Sequence, residues 1–206
     1  MYKTISQIGE AEQVINKSTF LATAFPISCE EEATAYIQKE RKKHPDARHV
    51  CWAYVLGEKK DIMRYSDDGE PQGTAGQPIL QVLVKKDITN VLVTVTRYFG
   101  GILLGAGGLT RAYSSSCASA IDNTGVKTMV LSSIAEISLD YTTYNRLQKT
   151  IENSDYIIVK NIDYGENVTL TLTVKEEDTE KLSDFFTQTT GGKAKVIETE
   201  KIFLPW

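Results

Sequence analysis

The run Asn90-Val91-Leu92-Val93-Thr94-Val95-Thr96 constrains this chain more than any other segment. Its Val-Leu-Val-Thr-Val core is the strongest strand signal present, because β-branched and apolar residues fit a pleated, buried surface. It therefore reads as a central strand. Arg97-Tyr98-Phe99-Gly100-Gly101 follows, then a short apolar loop and Gly105-Ala106-Gly107-Gly108. After the glycines a helix places Leu109, Ala112, Tyr113, Ser116 and Ala120 on one side.

The rest of the first part builds around that strand. Asn16 to Ile27 reads as a strand after a short irregular lead. Ser28 or Cys29 opens a helix whose first turn, Glu30-Glu31-Glu32, carries the acidic residues that a helix N-terminus favours. His44-Pro45 ends it. Arg48 to Leu56 alternates as a strand, turns at residues 57–60 and returns through Ile62 to Tyr65. Residues 66–76 hold too many turn formers to be regular, and Thr74 can cap a helix carrying Ile79, Leu80, Leu83 and Val84.

Asn123-Thr124-Gly125 closes the helix that follows the glycines and marks the boundary between a domain over 1–127 and one over 128–206. Beyond it the order is strand, helix, strand, strand, helix, strand, which is the ferredoxin-like βαββαβ arrangement. The fold class is α+β in two domains.

Composition narrows the function classes. Hydrophobic residues make up 41% and charged residues 24%, too rich in core formers for disorder. No apolar run is long enough for a membrane-spanning helix, and Met1-Tyr2-Lys3-Thr4-Ile5 does not start a secretory signal. Three cysteines, Cys29, Cys51 and Cys117, form no CxxC pair and suit a reducing cytoplasm. These features predict a cytoplasmic chain without a membrane partner. To Gly125 the chain holds 14 basic and 14 acidic residues, so the net charge of −4 lies wholly beyond it. Five of the six arginines, Arg41, Arg48, Arg64, Arg97 and Arg111, lie in that neutral first part. Guanidinium groups match phosphate and carboxylate well, so an anionic partner is expected there.

Three constellations carry chemistry. In the first, Gly100, Gly101, Gly105, Gly107 and Gly108 would let backbone N–H groups approach an oxyanion where the helix dipole helps. Arg97 and Arg111 would flank that site, with Tyr98 and Phe99 stacking on bases if exposed. Equally, the glycines would serve only a tight strand-to-helix crossing and the aromatics would fill a core. The second is Asp67-Asp68-Gly69-Glu70, a possible metal or acid/base cluster that lacks EF-hand spacing and suits capping and turn roles better. Beside it, Gly73, Thr74 and Gly76 again offer backbone donors to an anion. The third is Arg48-His49-x-Cys51-Trp52, where His49 and Cys51 share one face of a strand. Two such ligands are half a zinc site at best, and a structural or binding role is the simpler reading. No residue is assigned a catalytic or metal-ligating role, and no cofactor is expected.

The run Arg64-Tyr65-Ser66-Asp67-Asp68-Gly69-Glu70-Pro71-x-Gly73-Thr74-Ala75-Gly76 and the run Thr96-Arg97-Tyr98-Phe99-Gly100-Gly101-x-x-Leu104-Gly105-x-Gly107-Gly108-Leu109-x-Arg111-Ala112-Tyr113 together resemble the signature of the IMPACT/YigZ family. Asp46-Ala47-Arg48-His49-x-Cys51-x-Ala53 and Lys17-Ser18-x-Phe20 fit the same pattern. The resemblance implies an N-terminal domain of the ribosomal-protein-S5-domain-2-like fold, followed by the ferredoxin-like extension of the bacterial members. The pair is similar to the last two domains of elongation factor G. It also implies nucleic-acid or ribosome contact, without establishing a reaction. With the Arg97/Arg111 glycine loop and the arginine bias of the first part, the expected function is a non-enzymatic module that binds RNA or the ribosome and modulates translation. A protein-interaction module, or an enzyme on a small phosphorylated or anionic substrate, is the alternative. Eukaryotic members inhibit an amino-acid-starvation kinase by competing for its ribosome-associated activator. They do so through additional parts, so that role does not carry over.

Overall fold

In the computed structural model, which describes all 206 residues, the apolar run becomes β6 (Val91–Tyr98), buried at every position but Tyr98. It lies between β3 (Ser18–Pro26) and β4 (His49–Leu56), antiparallel to both. With β2 (Gly9–Ile15) and β5 (Ile62–Ser66) these strands form a sheet of order β2-β3-β6-β4-β5. Strand alternation sends Val91, Val93 and Val95 to one face. There they pack with Phe20, Cys51, Ile79 and Leu83 beneath α2 (Gly76–Lys85) and α3 (Gly105–Asp122). Leu92 points to the other face, against Phe25, Tyr54 and α1 (Glu30–Lys43). A strand with core on both sides needs the near-continuous apolar run that the sequence supplies.

Two local expectations are corrected. Asn16 and Lys17 are a turn and not the start of a strand, with left-handed φ of 46° and 63°, as a tight two-residue hairpin requires. The apparently irregular lead holds β1 (Tyr2–Ile5) and β2. Charged Glu10 and Glu12 and exposed Val14 on the edge strand β2 mask its strand pattern. Thr74 does not cap α2. Its hydroxyl donates to the Pro71 carbonyl, and Ala75 takes the N-cap position with no side-chain bond of its own.

The C-terminal part is the ferredoxin-like order in full, running β7 (Val126–Leu139), α4 (Tyr141–Glu152), β8 (Ile158–Tyr164), β9 (Val168–Lys175), α5 (Thr179–Thr190) and β10 (Ile197–Pro205). A single 3-10 turn precedes α5. The strands lie side by side as β10-β7-β9-β8, all antiparallel. Ala135, Ile137, Leu139, Leu170 and Leu172 meet Tyr144, Leu147, Ile151, Leu182 and Phe186 of the two helices. Asp140 caps α4 by accepting from the Thr143 N–H at 2.7 Å, and Gly191 ends α5 at φ 63°. Tyr2–Thr128 and Met129–Trp206, the latter with Met1, are two compact units.

Candidate functional site

β6 and β4 are in register so that His49 opposes Arg97, and Cys51 opposes Val95, on the face beneath α3. Arg97 is 6% exposed and does not reach solvent. Its Nη1 donates to Glu70 Oε1 at 2.8 Å, and Nη2 reaches the Ser18 hydroxyl at 3.4 Å. Tyr113, from the third turn of α3, donates its hydroxyl to the same Glu70 oxygen at 2.7 Å. Cys51 Sγ lies 3.4 Å from that hydroxyl and 3.0 Å from the Asp67 carbonyl. The guanidinium also stands 5.5 Å from the centres of the Phe20 and Phe99 rings. Glu70, Arg97 and Tyr113 thus form a closed polar knot that joins the acidic loop, the central strand and α3. Burial pushes the Cys51 thiol and the Tyr113 hydroxyl well above their ordinary ranges. A thiol held protonated in this way is not an activated nucleophile.

The acidic loop is equally occupied. Asp67 accepts from the backbone N–H groups of Gly73, Ala75 and Gly76 at 2.8, 3.0 and 2.8 Å. It therefore caps α2 from nine residues away, which is the role Thr74 had been expected to fill. Asp68 accepts from Val50 N–H at 2.7 Å and from Arg41 at 2.5 Å. His49 Nδ1 lies 2.8 Å from the Asp68 carbonyl, and since a carbonyl only accepts, Nδ1 carries the proton. The carboxylates of Asp67, Asp68 and Glu70 therefore point at three different sets of donors, and no group of three or more His, Cys, Asp or Glu residues converges as a metal cage. Gly73 and Gly76 spend their N–H groups on Asp67, so they present no anion nest.

The glycine segment behaves differently. Gly100 is held against the hairpin tip, where a Cβ would meet the Lys17 carbonyl carbon at 2.0 Å, and its N–H donates to the Ser18 hydroxyl at 3.2 Å. Beyond it the chain opens outward, with Phe99 49%, Ile102 44% and Leu103 86% exposed. The helix begins at Gly105, so Gly107 and Gly108 lie within its first turn and not ahead of it. Leu104 at the N-cap makes no side-chain bond, and no acid occupies that turn. Arg111 is exposed, and its Nη1 is 3.8 Å from where a Gly107 Cβ would sit. Gly101 and Gly105 take left-handed φ of 82° and 67°, which lets the loop double back into α3.

The fold thus separates residues that sequence spacing had grouped. Arg97 is internal, Arg111 is external, and the two do not flank one anion. Phe99 is exposed at its loop, whereas Tyr98 is half-buried and hydrogen-bonds His44 Nδ1 at 2.9 Å on the other sheet face. Arg48 is exposed. Sequence reasoning missed Tyr113 as a partner of Glu70 and Ser18 as a partner of Arg97, because each pair joins distant elements. It also missed Lys85 and Lys86, which line a cleft with Arg111.

Comparison with known proteins agrees with this architecture. Residues 16–121 match the Impact N-terminal domain, and residues 137–193 match a domain of unknown function, DUF1949. The chain is 42% identical over 203 residues to the IMPACT family member YvyE of Bacillus subtilis, covering 98% of this chain and 93% of that one. It is 46% identical over 101 residues to YigZ of Escherichia coli, covering 48% of this chain and 50% of that one. A crystal structure of a hypothetical protein, 29% identical, covers 97% of both chains with a TM-score of 0.61. Both by matched sequence and by the order of its two units, the chain belongs to the IMPACT family.

Proposed function

We propose that the protein is a non-enzymatic module that binds RNA or the ribosome and modulates translation, gripping its anionic partner at the start of α3. The observation that carries this reading is the uncapped, acid-free glycine turn Gly105–Gly108, with exposed Arg111 beside it and the exposed Phe99 ring at the same loop. Backbone N–H groups and a guanidinium suit phosphate oxygens, and an open aromatic face suits a base. Family membership supports the same reading, since the resemblance links its members to translation control. An enzyme acting on a small anionic substrate would need a pocket where a base such as His49 or Asp68 and the Arg97 guanidinium converge on the reacting group. Here Asp68 is bound by Val50 and Arg41, and Arg97 by Glu70.

The test is co-sedimentation of the purified protein with ribosomes across a salt series, beside an Arg111→Ala/Phe99→Ala variant. Binding at low salt that weakens as salt rises, and is lost in the variant, is the expected result. Absence of binding at low salt overturns the reading.

A further inference from the structure

A cleft of about 920 Å³ runs over the outer side of α3. Its walls carry aliphatic Ile15, Val82 and Leu104 and three cations, Lys85, Lys86 and Arg111. Lys86 is paired with Asp122 at 2.5 Å, whereas Lys85 and Arg111 engage no carboxylate. The lining holds neither an aromatic nor an acidic residue. Along α3 it reaches from Leu104 to Ala118, which at the helical rise is about 21 Å, or some four turns. Small side chains on that stretch, Gly108, Ser114, Ser115 and Ala118, allow another backbone to come close.

We infer that this cleft receives an acidic amphipathic helix of a partner protein, about four turns long. The aliphatic wall would take the partner's apolar stripe, and Lys85 and Arg111 its carboxylates. RNA is the poorer fit because the cleft offers no ring on which a base can stack. A basic helix is excluded by charge. The inference goes beyond the nucleic-acid reading and rests chiefly on other residues, Ile15, Val82 and Lys85, with Gly108 and Arg111 at the border between the two surfaces.

The test is a display selection of randomised peptides of about 14 residues on the full-length protein. Counter-selection uses a Val82→Asp/Lys85→Glu variant whose circular dichroism and melting match the parent. The expected outcome is enrichment of sequences with aliphatic residues three and four apart, flanked by Glu or Asp. An enriched peptide should lose at least about tenfold in affinity for the variant, and again when its acids become lysines. No enrichment, a basic consensus, or equal binding to the variant overturns the inference. So does a uridine 12-mer that displaces the peptide and itself needs Val82 and Lys85, because the cleft would then belong to RNA. The selection involves no ribosomes, so a failed co-sedimentation removes the proposed function without touching this result.

Discussion

Glu70 sits inside the protein with its charge met by one guanidinium and one phenol, and each partner comes from a different element. Removing either charge leaves the other stranded in a low-dielectric interior. Arg97→Ala or Glu70→Ala should therefore cost about 3–5 kcal/mol in urea unfolding, against about 1–3 kcal/mol for Tyr113→Phe. An Arg97→Met/Glu70→Leu double variant should lose far less than the sum of the two single changes. Equal additivity would mean that the pair is not coupled. The same burial sets a pH limit. Desolvation raises the Cys51 and Cys117 thiols and the Tyr113 hydroxyl, so the folded chain keeps protons that the unfolded chain gives up from about pH 9. Stability from these groups is complete below that value and declines as pH rises above it, and the urea midpoint should fall accordingly. Thiol reagents should label half-buried Cys29 in the native state and reach Cys51 and Cys117 only on unfolding.

Among the elements, the strongest prediction concerns the start of α2. Asp67 supplies three charge-assisted bonds there, so Asp67→Ala should cost about 3 kcal/mol and raise hydrogen exchange at Gly73, Ala75 and Gly76. Thr74→Ala should cost much less, because its hydroxyl serves only the Pro71 carbonyl. This contrast marks the limit of what spacing along a chain conveys. The central strand, the helices and the ferredoxin-like order were legible because periodicity and turn residues are local signals. The cap at Asp67, the pairing of Arg97 with Glu70 and the strand character of β2 were not. A carboxylate does not announce its donors, and an edge strand need not alternate cleanly. Arg97 and Arg111 looked alike in the sequence, and only the sheet distinguishes an arginine beneath a helix from one on its outer side.

At the scale of the whole molecule, the two units own separate cores and meet along the chain within β7. The ladder of β10 on β7 runs from Met129 to Glu136, so a cut between Thr128 and Met129 leaves it whole. Fragments 1–128 and 129–206 should each give a dispersed amide spectrum. Collapse of either one would show that its core depends on the other.

The sheet order also has a consequence for synthesis. In β2-β3-β6-β4-β5 the central strand is made after both of its neighbours. Until Val91–Tyr98 leaves the ribosome, β3 and β4 present bare edges and the apolar faces of Phe20, Ala22, Val50 and Ala53 with nothing between them. A chain stalled just before Val91 therefore exposes a sticky half-sheet, whereas one released after Asp122 carries both the central strand and the helix that covers its face.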